Sequence, residues 1–270
     1  MENKHLKAIV KLFNAFRYKH DLYSVFSDWC ECAAIAFSQA ADLTHYEKRE
    51  ARYLEIARRY DKLEMMTFSE ILGEVTLAME ERPQDVLGSV FHALELHNAA
   101  RGQFFTPYPI CSMMARMTLG TEDELRSLIQ MRGFICAQEP AAGSGAMVIA
   151  LAEAIRDVGI SYQACLHVTA IDIDRRAVHM SYIQLTLMHI PAVILEGDSL
   201  QMKFHEEWHT LAHVMGKWQG RLAKAHEDGN FDVPDAKSST FTPIDTNVRV
   251  QPGDSHPFYT EGKRGQLQLF

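Results

Sequence analysis

The chain has 270 residues, 47% hydrophobic and 10% aromatic, with 27 Lys and Arg against 35 Asp and Glu for a formal charge of −8. This composition excludes a disordered or low-complexity polypeptide, and the acidic balance excludes a protein that coats nucleic acid by bulk positive charge. No stretch approaches the roughly 18 apolar residues of a membrane span, and the opening Met1-Glu2-Asn3-Lys4-His5 lacks a signal peptide's apolar run, so a cytoplasmic protein with no membrane partner is expected.

Residues 4 to about 98 carry helical periodicity. Leu6, Ile9, Val10, Phe13 and Phe16 keep to one stripe, and Phe26, Trp29, Ala33 and Phe37 follow at spacings of three to four. Tyr46 to Lys62 alternates charges around Leu54, Ile56 and Ala57, which predicts one solvated helix with a buried edge. Pro83 opens a further helix that carries Val86, Leu87, Val90, Phe91 and Leu94 to Asn98. A helical N-terminal domain over 1–100 is therefore expected. Cysteines at 30, 32, 111, 136 and 165 are odd in number and wrongly spaced for a disulfide frame or zinc knuckle, so they read as reduced core residues.

From about 103 to 200 strands and helices alternate: a strand at 133–137, a helix at 146–158, a strand at 167–173, a helix at 176–189 and a strand at 192–195. That order predicts a parallel, doubly wound sheet. Residues 206–226 predict one more helix, with Trp208, Leu211, Ala212, Met215, Trp218 and Leu222 on one side and a solvated basic stripe of Lys217, Arg221 and Lys224. A second domain thus spans 101–226, and 227–270, rich in Pro, Gly, Ser, Thr and Asp, predicts a flexible tail outside the sheet.

The first strand runs into Glu139-Pro140-Ala141-Ala142-Gly143-Ser144-Gly145, a glycine turn at a helix start where unpaired N–H groups favour carboxylate or phosphate oxygen. The Lys-Ser/Thr of a P-loop is missing, which argues against nucleoside triphosphate. The second strand ends at Asp172-Ile173-Asp174, where Asp172 suits a ribose and Asp174 the cap of the next helix. The third ends at Gly197-Asp198-Ser199, another carboxylate at the sheet's ligand-binding edge.

With these features the chain resembles the adenine-N6 DNA methyltransferases, most closely the modification subunits of type I restriction systems. Gly102-Gln103-Phe104-Phe105-Thr106-Pro107 is similar to the family's Gly-Gln-Phe-Tyr-Thr-Pro segment, and Glu139–Gly145 to its Asp-Pro-Ala-Cys-Gly-Ser-Gly loop. Asp172 stands at the family's ribose-binding acid, Asp198 at the residue facing the cofactor adenine, and Asp85-Val86-Leu87-Gly88 resembles its lead-in. Over about 85–200 the resemblance implies a shortened Rossmann-like α/β methyltransferase fold with S-adenosylmethionine as cofactor. The implied contacts are Phe105, Thr106, Pro107, Glu139, Pro140, Ala141, Gly143, Gly145, Asp172, Ile173, Asp198 and Ser199. The family's Asn-Pro-Pro-Tyr/Phe, whose carbonyls accept from the adenine amino group and whose ring stacks on a flipped base, does not occur. Asn230-Phe231-Asp232-Val233-Pro234 is its nearest approximation and reads as coincidence, and a fourth strand is not expected.

Two further motifs carry rival readings. His205-Glu206-Glu207-Trp208-His209 matches His-Glu-x-x-His; on a helix it would offer two imidazoles and a general base, but His213 lies too far along the axis to complete a zinc site, so no metal is expected. Gln266-Leu267-Gln268-Leu269-Phe270 resembles the peptide with which bacterial polymerases and repair proteins dock into the sliding clamp, Gln266 supplying hydrogen bonds and Leu267, Leu269 and Phe270 apolar contacts. The expected function is therefore a DNA adenine methyltransferase-like protein working on or near DNA without a recognisable catalytic residue. The alternatives are a non-enzymatic adaptor recruited to the sliding clamp and, more remotely, a zinc protease.

Overall fold

The structure, a computed structural model, describes residues 4–96, 105–228 and 266–268, the last as backbone. The readings placed on Gly102, Gln103, Phe104, Asn230–Pro234, Leu269 and Phe270 fall outside these residues.

Helix α1 (Lys4–Asn14) leads to α2 (Leu22–Ser38), where Asp21 caps by accepting the Ser24 N–H. α3 (Tyr46–Ala57) stops short of the end of the helix expected over 46–62, and α4 (Lys62–Glu81) begins where that helix was to finish. The break comes at Asp61, whose carboxylate accepts the Leu63 and Glu64 N–H groups while Glu64 reaches back to the Asp61 N–H, a capping box that starts a new helix. α5 (Val86–Ala93) begins after its cap Asp85 rather than at Pro83, and its N-cap bond to Gly88 fixes that start. α6 (Tyr108–Leu119) and α7 (Glu122–Arg132) precede the sheet.

β1 (Ile135–Glu139), α8 (Ala146–Asp157), α9 (Tyr162–Cys165), β2 (Leu166–Asp172), α10 (Arg175–Leu187) and β3 (Ala192–Asp198) follow. β1 pairs parallel with β2 and β2 with β3, as the alternation predicts, and β2 and β3 are buried along most of their length.

The stretch expected to be helical over 206–226 is instead β4 (Lys203–His209), α11 (Leu211–Met215) and α12 (Trp218–Glu227). β4 turns back antiparallel on β3, so a fourth strand is present. The hairpin needs Gly197, since a Cβ there would lie 2.1 Å from the Lys203 carbonyl oxygen. Trp208 is buried against His179 and Tyr182 of α10, with the Arg49 guanidinium 3.8 Å over its ring, and Thr210 caps α11 while holding the Ala192 N–H. These tertiary contacts override an apolar spacing that imitates a helix.

β5 (Gln266–Gln268) runs parallel to β1, Ala137 opposite Leu267, so the sheet order is β4-β3-β2-β1-β5. The expectation that the tail lies wholly outside the sheet is thereby corrected: an edge strand such as β1 leaves N–H and C=O groups unpaired, and these residues pair them. One core runs from Ile9 and Phe13 through Phe91 to Val168 and Trp208, so the helices and the sheet are packed together. All five cysteines are free thiols, and among the described residues no helix is long and apolar enough to cross a membrane.

Candidate functional site

The carboxyl ends of β1, β2 and β3 carry Glu139, Asp172 and Asp198, brought side by side because the three strands are parallel and adjacent. From Glu139 the chain turns through two left-handed glycines, Gly143 (φ 55) and Gly145 (φ 91), into α8. The Gly143 N–H donates to Asp172 Oδ2 at 2.8 Å, and the Ala142 N–H to the Ile171 carbonyl at 2.8 Å, tying the turn to the end of β2. A Cβ at Gly143 would stand 2.9 Å from the Phe105 ring, which packs on Phe91 at 5.1 Å and so brings the segment before α6 against the turn. Beyond it Thr106 and Pro107 are exposed at the α6 start, as is Ala141 in the turn, while Pro140 and Ser199 are half-buried.

Asp172 Oδ1 accepts the Asp174 N–H at 2.9 Å, and Asp174 caps α10 through the Arg176 N–H, the division of labour expected from their order. Burial raises the Asp172 carboxyl despite those backbone bonds. Ile173, 72% exposed, leaves an apolar surface beside it. Asp198 turns one oxygen to the Leu200 and Gln201 N–H groups, each at 2.9 Å.

Burial pushes Glu139 up to about 8, against the one bond it accepts from Ala141, and the Asp172 charge adds to the rise. A buried carboxyl in this condition gains most from a cationic ligand group. Three acids at the strand ends, a turn whose glycines let a ligand approach the backbone, and an exposed apolar side chain suit a ligand with an ammonium, hydroxyls and an aromatic base. They fit S-adenosylmethionine.

A contact that the sequence reading missed lies behind the turn: the buried Ser144 hydroxyl donates to Asp85, 59 residues earlier, and Gln184 of α10 bonds both. Nothing local in the sequence signals either partner of Asp85.

The His-Glu-x-x-His residues lie on a strand. His205 and His209 are four positions apart on β4, where the rise separates them by about 13 Å, and His209 stacks on His213 at 4.9 Å. Among the described residues no cluster of three His, Cys, Asp or Glu could hold a metal ion. The basic stripe is also divided: Lys217 sits in the turn before α12, and Arg221 lies 3.6 Å over the Trp218 ring.

A family model described as N-6 DNA methylase matches residues 83–219. No curated protein matches the chain. Among solved structures it is similar to a chain described as a class I S-adenosylmethionine-dependent methyltransferase from Listeria monocytogenes, at 12% identity and TM-score 0.40, covering 73% of this chain and 55% of that one. It is also similar to a type I restriction-modification methyltransferase subunit from Streptococcus thermophilus, at 12% identity and TM-score 0.38, covering 73% and 58%. The chain thus spans little more than half of each of these proteins.

Proposed function

The chain belongs to the N-6 DNA methylase family, whose cofactor is S-adenosylmethionine, and on that premise we propose that it binds this cofactor across the ends of β1–β3 and works on or near DNA in the cytoplasm. The convergence of Glu139, Asp172 and Asp198 around the Gly143–Gly145 turn carries this reading. In it Glu139 faces the ammonium, Asp172 takes the ribose hydroxyls, Asp198 the adenine, and Ile173 and Ser199 line the base. Phe105, Thr106 and Pro107 close the methionine end, with Pro140 and Ala141 at the turn. When bound, the cofactor supplies an electrophilic methyl group.

Methyl transfer to adenine also needs acceptors for the N6 hydrogens and a ring to hold the flipped base. The sequence contains no Pro-Pro pair, and the place beside β1 where a doubly wound sheet sets its fourth parallel strand is taken by β5. The purified chain is therefore expected to bind S-adenosylmethionine in a calorimeter yet to transfer no more methyl to DNA than a denatured control. Absence of binding overturns the cofactor reading; robust transfer overturns the inactive one.

A second reading, as an adaptor to the replication sliding clamp, is favoured by the peptide Gln266, Leu267, Gln268, Leu269, Phe270. Pairing of 266–268 with β1 and burial of the same peptide in a clamp groove exclude each other, so β5 must leave the sheet for the clamp to bind. In fluorescence polarisation the isolated peptide is expected to bind a bacterial clamp at about micromolar affinity, more tightly than the whole chain does. Equal binding by a Leu269→Ala/Phe270→Ala peptide, or none by either, sinks this reading.

A further inference from the structure

The turn between β1 and α8 is gripped from two sides, of which the sheet supplies one, through Asp172 and the Ile171 carbonyl. On the other side Ser144 Oγ donates to Asp85 Oδ2 at 2.7 Å. Gln184 Nε2 donates to Asp85 Oδ1 at 2.9 Å and to the Ser144 carbonyl at 2.7 Å, while its Oε1 accepts the Leu87 N–H at 3.1 Å. Asp85, Ser144 and Gln184 are 6%, 1% and 0% exposed, so water competes little for these bonds.

Asp85 therefore does more than cap a helix. Capping α5 uses Oδ1, which accepts the Gly88 N–H at 2.9 Å, whereas Oδ2 is turned to the ligand turn. Gly88 makes this possible, because a Cβ there would stand 1.9 Å from Asp85 Oδ2. Ser144 in turn lies between two left-handed glycines, the residues with the most backbone freedom to lose. Without a grip on Ser144 the turn would spend part of its time in other conformations, and apparent affinity falls in proportion to the competent fraction.

We propose that Asp85 is a positioning residue for ligand binding: through Ser144 and Gln184 it holds the Gly143–Gly145 turn in its binding form and couples α5 to that turn. The proposal rests on the reading that the turn holds S-adenosylmethionine. Its test is calorimetry with S-adenosylmethionine on the full chain, paired with thermal denaturation without ligand, for the wild type, Asp85→Ala, Asp85→Asn and Ser144→Ala. Asp85→Ala and Ser144→Ala are expected to raise Kd about tenfold or more, and Asp85→Asn to stay within about threefold, since an amide can still meet Gly88 and Ser144. A purely structural role would lower the melting temperature and leave Kd unchanged; that result for both alanine variants overturns the proposal, as does an equal loss in Asn and Ala. Should Asp85→Ala fail to fold, Ser144→Ala, which removes only a hydroxyl, decides. Absence of binding by the wild type would overturn the cofactor reading and this proposal with it, whereas wild-type binding matched by the alanine variants overturns this proposal alone.

Discussion

Gly145→Val is expected to weaken S-adenosylmethionine binding by about a hundredfold, ~3 kcal/mol, the largest loss from any single substitution in the turn. Two effects add at this position. The backbone sits at φ 91, which costs a side-chain-bearing residue roughly 1–2 kcal/mol and a β-branched one more. A Cβ would also meet Ser181 Cβ at 3.3 Å, Ser181 Cα at 3.4 Å and Leu185 at 3.6 Å, so the valine methyls have to push α10 away or move the turn. Either response misplaces the N–H groups at the start of α8 and the Gly143 bond to Asp172. Gly73→Ala is the control: Gly73 lies in α4 with nothing within 4 Å of its Cβ position, so that variant should bind normally and gain up to about 1 kcal/mol of stability. Wild-type affinity in Gly145→Val would show that the turn does not carry the cofactor.

Stability should fall steeply in mild acid, because buried histidines are held neutral. His167 Nε2 and His213 Nδ1 are hydrogen-bonded at 2.9 Å, His213 stacks on His209, and His167 packs on Trp218 at 5.3 Å. His179 is buried edge-on to Trp208 at 5.0 Å. Burial lowers His179 and His213 to about 4 and His167 well below its ordinary value, with neighbouring His213, His209 and Arg221 adding to the fall at His167. Around His179 the Glu31 and Glu206 charges oppose the fall while Arg175 and Arg49 assist it. Each imidazole is more easily protonated in the unfolded chain, so unfolding takes up protons below about pH 6.5, and the neutral form's contribution is lost between there and about 4. For His179 alone the loss is on the order of 3 kcal/mol. Glu139 acts in the opposite sense: its folded value near 8 lies above the unfolded one, so its contribution is lost as pH rises from about 4.5 through 8. The urea midpoint without cofactor should therefore fall on both sides of a maximum near pH 6.5, more steeply on the acid side, and His179→Gln should flatten that side. A midpoint level from pH 6.5 to 4.5 would refute the neutral-histidine account.

How much of this was legible in the sequence depends on how far each partner lies along the chain. The three parallel strands, the Gly143–Gly145 turn and the placement of Asp172 and Asp198 follow from local order, since short strands alternating with helices make a parallel sheet and the connection from strand to helix needs glycines nearby. The break between α3 and α4 was missed, because the charge pattern across it suggested one helix while the capping box of Asp61 and Glu64 starts another.

Tertiary pairing decided the rest. Trp208 could face a helix core or a strand core, and the choice fell to β3, whose free edge accepts β4, and to α10 and Arg49, which enclose the indole. Once 203–209 is a strand, His205 and His209 cannot share an ion, so a motif that holds on a helix has no geometry here. The pairing of 266–268 with β1 leaves no local trace, because three residues have no period to read and the partner is some 130 positions away. The grip of Asp85 on Ser144 is of the same kind: nothing near Asp85 in the sequence signals it, and only the folded core brings its carboxylate within 2.7 Å of the turn.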